Sequence, residues 1–255
     1  MAFITAYHTD VGVQKKTNQD ALLIKTAKSS RGPIGLFVVC DGMGGLTHGE
    51  LASATVIRSL SDWFEETLPS LISQDEFEDN MTEQLVHYIE QLNSKILSYG
   101  ESKQVKLGTT VTAMLIIDSI YYLVQIGDSR AYAVTAQLVQ LTKDQSLVAR
   151  EVERGNITEA QAKVHPNRNV LLQCVGAKPD INVVVTKGSV EPGASYLLCT
   201  DGFYHEISMD EIIENLHPDH VSTQEQIKEK IHELINMVKQ RKEVDNISVI
   251  VTKVV

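Results

Sequence analysis

Leu36-Phe37-Val38-Val39 runs directly into Cys40-Asp41-Gly42-Met43-Gly44-Gly45-Leu46-Thr47-His48-Gly49-Glu50-Leu51-Ala52-Ser53. The apolar run has the length and composition of a buried strand. Four glycines within residues 42–49 then surround a single carboxylate. Glycine permits sharp turns and close backbone approach. The stretch therefore reads as a strand that delivers Asp41 to its C-terminal edge, followed by a backbone-rich loop and a helix. Carboxylate and carbonyl oxygens presented together suit a hard cation. An ordinary strand-turn-helix connection would look the same, so the rest of the chain must decide.

Working outward, Phe3 to His8 and Ala21 to Lys25 read as strands around a polar segment, and Leu36 to Cys40 is the third strand. A helix after Gly49 gathers Ala52, Val56, Leu60 and Trp63, with Ile57 and Phe64, on one face. Pro69 is expected in the loop beyond it. A second helix is expected from about Asn80, capped by Asn80 and Glu83 and stopped by Gly100. Its stripe is Met81, Leu85, Ile89, Leu92, Ile96 and Tyr99.

Thr109 to Ile117, Ile120 to Ile126, Arg130 to Val134 and Leu138 to Leu141 follow with short turns, which predicts an antiparallel meander. Residues 144–168 are polar and short-periodic, with a helix over Gln145 to Arg154 closed by Gly155 and a second capped by Thr158 and Gln161. They read as a mobile flap over the sheet. Strands resume at Leu171 to Cys174, Ile181 to Thr186 and Tyr196 to Thr200. Ser208 with Glu211 and Ser222 with Glu225 are expected to cap two further helices, and Asn246 to Lys253 is the last strand. The arrangement that buries all these faces is α+β: a central antiparallel β-sandwich flanked by helix pairs, in one domain over residues 1–255.

Composition narrows the function. The chain has 255 residues, a formal net charge of -10, 43% hydrophobic and 22% charged residues. Without a basic block it is not built for nucleic acid or for anionic membranes. No apolar run approaches the roughly 20 residues of a membrane span. The N-terminus lacks a charged lead and a signal-peptide core, so a cytoplasmic protein is expected. Cys40, Cys174 and Cys199 form no C-x-x-C pair, which argues against zinc or a disulfide framework. A monomer is expected, since no surplus apolar stripe is left over.

The acidic residues at strand ends carry the chemistry. Asp20 precedes the second strand, Asp41-Gly42 follows the third, Gly127-Asp128 follows a meander strand, Asp201-Gly202 follows Leu197 to Thr200, and Asp245-Asn246 precedes the last. One such Asp is ordinarily a turn residue. Five meeting in one cleft repel strongly unless divalent cations neutralise them, and oxygen-only donors select Mg²⁺ or Mn²⁺.

In its motifs and their order the chain resembles the metal-dependent serine/threonine protein phosphatases (PPM, 2C-type) in their compact bacterial form. The resemblance runs through Asp10-x-Gly12, Asn18-Gln19-Asp20, Asp41-Gly42-Met43-Gly44-Gly45 and Gly108-Thr109-Thr110. It continues through Gly127-Asp128-Ser129-Arg130-Ala131, His165-Pro166, Arg168-Asn169, Thr200-Asp201-Gly202 and Asp245-Asn246. It implies two core ions, with Asp41 bridging them and the Gly42 carbonyl, Asp201 and Asp245 as further ligands. It implies Asp20 binding or ordering metal water, a third and weaker ion between Asp128 and Asp201, and Asn246 steadying its neighbour. It implies hydrolysis of phosphoserine and phosphothreonine in phosphoproteins by a metal-bridging water or hydroxide.

Three positions depart from the pattern. Lys15 stands where the family usually has an Arg that grips the substrate phosphate. It reads either as a weaker phosphate ligand or as a solvated loop lysine. Met43 stands where many eukaryotic members have a His proposed as general acid, and neither His48 nor His165 is expected to replace it. Leu46, where bacterial relatives often have His, has no account. Two rival readings share the same cleft: a pseudophosphatase binding module, and a phosphoesterase for small molecules.

Overall fold

The computed structural model describes residues 2–43 and 48–255. The strands are β1 (Phe3–Asp10), β2 (Ala21–Ser29), β3 (Gly32–Cys40), β4 (Val111–Ile117), β5 (Ile120–Ile126), β6 (Arg130–Val134), β7 (Leu138–Gln140), β8 (Val184–Ser189), β9 (Ser195–Cys199) and β10 (Ile247–Val254). The helices are α1 (Gly49–Asp62), α2 (Leu68–Ile72), α3 (Phe77–Lys103), α4 (Leu147–Glu153), α5 (Glu159–Lys163), α6 (Asp201–Tyr204), α7 (Met209–Leu216) and α8 (Gln224–Gln240). They build two five-stranded sheets, ordered β1-β10-β9-β6-β7 and β2-β3-β4-β5-β8. Every pairing is antiparallel.

The period of two along each strand explains the layers. On β3, Ile34, Leu36, Val38 and Cys40 face outward onto Val56 and Leu60 of α1 and Met81, Leu85 and Ile89 of α3. Phe37 and Val39 face inward, where they meet Met114, Leu123, Leu198 and Ile250 between the sheets. On the opposite sheet, Leu197, Val249 and Val251 pack outward against Ile227, Ile231, Leu234 and Val238 of α8. Both faces of each central strand are covered, so β3 and β4 are apolar without alternation. The helix–sheet–sheet–helix order matches the expected sandwich. Each fully buried aliphatic side chain contributes about 1.5–3 kcal/mol to it.

The meander does not form as expected. β4–β5 and β6–β7 are hairpins in different sheets. The turn Gly127-Asp128-Ser129 carries the chain through the interior from one sheet to the other. Gly127 has φ +102°, and a Cβ there would stand 2.6 Å from Thr110 Cγ2. The Ser129 hydroxyl meets Thr110 Oγ1 at 2.7 Å, and Ser129 O accepts from Thr112 Oγ1 at 2.7 Å. Apolar alternation is the same whether the next strand lies beside or opposite, so turn length alone misplaced β6.

Other boundaries shift for local reasons. Pro69 lies in the first turn of α2, where its missing N–H is not needed. It follows a π-helical turn over Trp63–Thr67 that continues α1. α3 starts at Phe77, three residues before the expected Asn80, with no side-chain cap. It also runs past Gly100 to Gln104, whose φ of 56° ends it. Gly100 serves the return of the chain instead: its O accepts from Val105 N at 2.9 Å, and a Cβ would meet Val105 O at 2.8 Å. Leu171 to Cys174 holds only an isolated bridge, Leu171 with Ser146. The expected Ile181 to Thr186 strand is displaced to Val184–Ser189. α8 is capped by Thr223 and Gln226, one residue later than expected. The Ser208–Glu211 and Thr158–Gln161 boxes form as read. Within residues 144–168, no residue of α4 or α5 is buried. All three cysteines are buried thiols. No described helix is long and apolar enough to cross a membrane.

Candidate metal centre

Asp41 leaves the end of β3 with its backbone fastened and its carboxylate free. Its N–H donates to Thr110 Oγ1 at 2.9 Å, and its O accepts from Thr110 N and Thr109 Oγ1, each at 2.9 Å. This is the task of the Gly108-Thr109-Thr110 motif. Gly42 is pressed between two backbones: a Cβ there would stand 2.5 Å from both Gln19 O and Gly49 O. Asp20 enters from β2, its N–H held by Asn18 Oδ1 at 3.1 Å and its Oδ2 accepting from Thr200 Oγ1 at 2.9 Å.

Asp201 opens the single turn of α6. Gly202 lets that turn close on the last strand, since a Cβ would stand 2.1 Å from Asn246 O. Asn246 is buried and ties the loop over residues 11–19 to β10. Its Oδ1 accepts from Gln19 N at 2.9 Å, and its Nδ2 donates to Val11 O at 2.9 Å and Thr17 O at 3.1 Å. Asn246→Ala removes all three bonds and the tie between the loop and the last strand. It should cost about 2–4 kcal/mol by urea titration.

The carboxylates feel one another. Burial pushes the Asp41 carboxyl well above the usual range, with Asp201, Asp20, Asp128 and Asp245 adding to the shift. Asp20 is pushed up to about 7 by burial first, with Asp201 and Asp245 also raising it against its hydroxyl hydrogen bonds. Asp128 rises by burial, then by Asp201 and Asp144. The structure thus brings Asp20, Asp41, Asp128, Asp201 and Asp245 into one electrostatic unit.

Lys15 is a cation within it, with Nζ 2.7 Å from Asp245 Oδ1. Its partial burial opposes the charge. The Asp245 hydrogen bond and the Asp245, Asp41 and Asp201 carboxylates outweigh that and raise its pKa.

The donor set fits hard divalent ions. Asp20 Oδ1 and Asp201 Oδ1 are buried with no hydrogen-bond partner among the described residues. Such an oxygen costs stability unless a cation or donor faces it. One lysine does not balance five neighbouring carboxylates. Among the described residues, no three His, Cys, Asp or Glu side chains are gathered closely enough to hold a metal ion as they stand. Lys15 engages Asp245 and the Thr200 hydroxyl engages Asp20.

Sequence reasoning missed several supporting groups. Glu243 is 3% exposed, and its Oε1 accepts from Val244 N at 2.7 Å and Asp245 N at 2.9 Å. It shapes the turn that presents Asp245. Its position two residues before an Asp in an acidic strand end was the available signal. His205 Nδ1 lies 3.8 Å from Glu243 Oε2 and 3.9 Å from Asp201 Oδ2. Arg130 forks onto Asp144 and lies 3.6 Å over the Tyr204 ring, while Tyr204 Oη donates to Asp128 O at 3.0 Å.

Asp10 is structural, accepting from Gly12 N and Lys239 Nζ, each at 2.8 Å. Met43 N–H donates to Gly108 O at 3.0 Å. His48 is the N-cap residue of α1, and His165 Nδ1 accepts from Asn167 N at 3.1 Å within the flap. Leu46, with Gly44, Gly45 and Thr47, lies outside the described residues.

The chain is similar over most of its length to known proteins. The family described as Protein phosphatase 2C matches residues 11–249. The serine/threonine phosphatase Stp of Listeria monocytogenes is 32% identical over 215 residues, which cover 82% of each chain. The solved serine/threonine phosphatase Stp1 from Staphylococcus aureus is 26% identical with a TM-score of 0.85, over all of this chain and 96% of that one. The catalytic domain of serine threonine protein phosphatase PstP, solved in complex with 2 manganese ions, is 27% identical with a TM-score of 0.79, over the full length of both chains.

Proposed function

The chain belongs to the protein phosphatase 2C family, and on that premise we propose how its own residues carry out metal-dependent hydrolysis of phosphoserine and phosphothreonine in phosphoproteins. Asp41, the Gly42 carbonyl, Asp20, Asp201 and Asp245 are the groups that would hold a pair of divalent ions. Asp128 and Asp201 would hold a third, weaker ion. Mg²⁺ and Mn²⁺ are the candidates, because every donor is an oxygen. The 2 manganese ions in the PstP neighbour support a pair. Such ions supply acidified water and positive charge against the phosphoryl oxygens.

The observation that carries this reading is the buried pair Asp20 Oδ1 and Asp201 Oδ1, without a hydrogen-bond partner among the described residues, on two of the carboxylates that raise the Asp41 pKa. The Thr109–Thr110 clasp orients Asp41, Glu243 orients Asp245, and Asn246 closes the loop that carries Lys15. Lys15 holds the substrate phosphate, which competes with Asp245 for its ammonium. Lys15→Ala should raise KM about tenfold with a smaller effect on kcat, and Lys15→Arg should lower KM through its bidentate fork. An unchanged KM in both variants would make Lys15 a solvated loop residue.

Residues 1–255 act as one domain and as a monomer in the cytoplasm, with residues 144–168 as a flap beside the Asp128 turn. The net charge of -10 leaves no nucleic-acid surface. The test is phosphate release from a phosphothreonine peptide with Mn²⁺, with chelator, and against a small aryl phosphate. Peptide turnover that chelator abolishes supports the reading. Turnover of the small ester alone supports a small-molecule phosphoesterase, and no metal-dependent turnover supports a binding module.

A further inference from the structure

Residues 11–15 and 243–246 form one piece of the cleft rim. Asn246 Nδ2 donates to Val11 O at 2.9 Å. Gly12, at φ +78°, lies so close to the last strand that a Cβ would stand 2.2 Å from Asp245 O. Lys15 then reaches Asp245 Oδ1 at 2.7 Å. The backbone contact and the ion pair fix both segments beside the proposed phosphate position.

Three β-branched aliphatic residues on this rim stay open: Val11 at 37%, Val13 at 49% and Val244 at 37% exposure. Single exposed valines are ordinary. Three gathered on one backbone contact beside a candidate phosphate lysine are not, because turns of this kind are normally built from Gly, Asn, Asp and Ser. Their charged surroundings are also uneven. Lys239 is paired with Asp10 and Arg241 with Glu211. Lys16 and Lys242 are exposed and enter no ion pair among the described residues. An acidic chain that leaves two cations free beside an apolar shelf complements an anionic partner. A second copy at a net charge of -10 is repelled.

We propose that Val11, Val13 and Val244, edged by Lys16 and Lys242, form a specificity shelf for the phosphoprotein segment, which takes a bulky apolar side chain within two residues of the phosphorylated Ser or Thr. This rests on the phosphatase reading of the adjacent carboxylates and Lys15. An extended peptide advances about 3.3 Å per residue, so neighbouring side chains of a substrate anchored at Lys15 reach past the phosphate onto the rim. The shelf contributes binding that a small aryl phosphate does not use.

The test uses the full chain loaded with Mn²⁺ and two phosphothreonine peptides that differ only in carrying Leu or Ser at the two residues on each side of the phosphothreonine. The unmodified protein should favour the Leu peptide about tenfold in kcat/KM. The double variant Val13→Thr/Val244→Thr keeps the branched shape and removes the apolar surface, and should bring that ratio to within about twofold. Because the readout is a ratio within one enzyme, any general loss of activity cancels. Equal rates with the unmodified protein, or a full preference retained by the double variant, overturns the shelf while leaving the phosphatase reading intact. Absence of metal-dependent turnover on both peptides and on p-nitrophenyl phosphate overturns the phosphatase reading itself. Concentration-dependent dimerisation that the double variant abolishes makes the patch a self-interface and overturns the proposal.

Discussion

Asp41→Asn should lower kcat for a phosphothreonine peptide by at least about 10³-fold, and at the same time stabilise the metal-free protein by about 1–2 kcal/mol. Both effects have one cause. Asp41 sits where four other carboxylates raise its pKa, on top of the burial that contributes most. Asn keeps the shape and the backbone clasp at Thr109 and Thr110 but removes one negative charge. Without metal, that relieves repulsion and offers an amide donor to unpartnered oxygens. With metal, it removes the proposed bridge. Steady-state kinetics in Mn²⁺ and urea titration in chelator read the two halves separately. A variant within tenfold of the unmodified activity would remove Asp41 from the metal centre. Lost activity with lowered metal-free stability would make it an ordinary structural aspartate.

The second large effect is a reversal of pH dependence by metal. Asp20 titrates near 7 in the fold, against an ordinary carboxylate value near 4. A raised folded pKa means that the folded state binds more protons than the unfolded chain between those values. Stability therefore falls as pH rises through that window, and it levels off above about 7 for this group. Metal-free protein should lose about 2–4 kcal/mol between pH 4 and pH 7 from the cluster. Divalent ions bind the deprotonated carboxylates and release protons, so the stabilisation they give should grow over the same window. At one hundred times Kd, each site contributes about 2.7 kcal/mol, which for a chain of this size is a Tm rise of about 5–10 °C at pH 7. Thermal melts in chelator and in Mn²⁺ across pH 5 to 7.5 check this. A Tm gain from Mn²⁺ that is independent of pH would detach the ions from these carboxylates.

Much of the site was legible because each aspartate lies just before or just after an apolar strand, and the end of an apolar strand has a fixed place at the edge of a sheet. Asp41 after Phe37-Val38-Val39 and Asp201 after Leu197-Leu198 needed no more than that. Strand adjacency was less legible. β6 crosses to the other sheet through Gly127 and Ser129, and the buried hydroxyl contacts that hold this crossing have no signature in hydrophobic period. Glu243 and His205 were hidden for another reason: a lone Glu or His in sequence is most often a solvated one, and only the fold buries Glu243 and sets His205 beside it. The Lys15 pairing with Asp245 joins residues 230 positions apart, so only the folded chain reveals it. The start of α3 moved because Phe77 packs in the core, and burial outweighed the capping signal at Asn80.

Anomalous diffraction at the manganese edge from crystals grown with Mn²⁺ tests the centre most directly. The predicted result is two strong peaks sharing Asp41, with Asp201 and Asp245 each in contact with one of them. Peaks elsewhere on the surface, with no ion in contact with Asp41, Asp201 or Asp245, would contradict it.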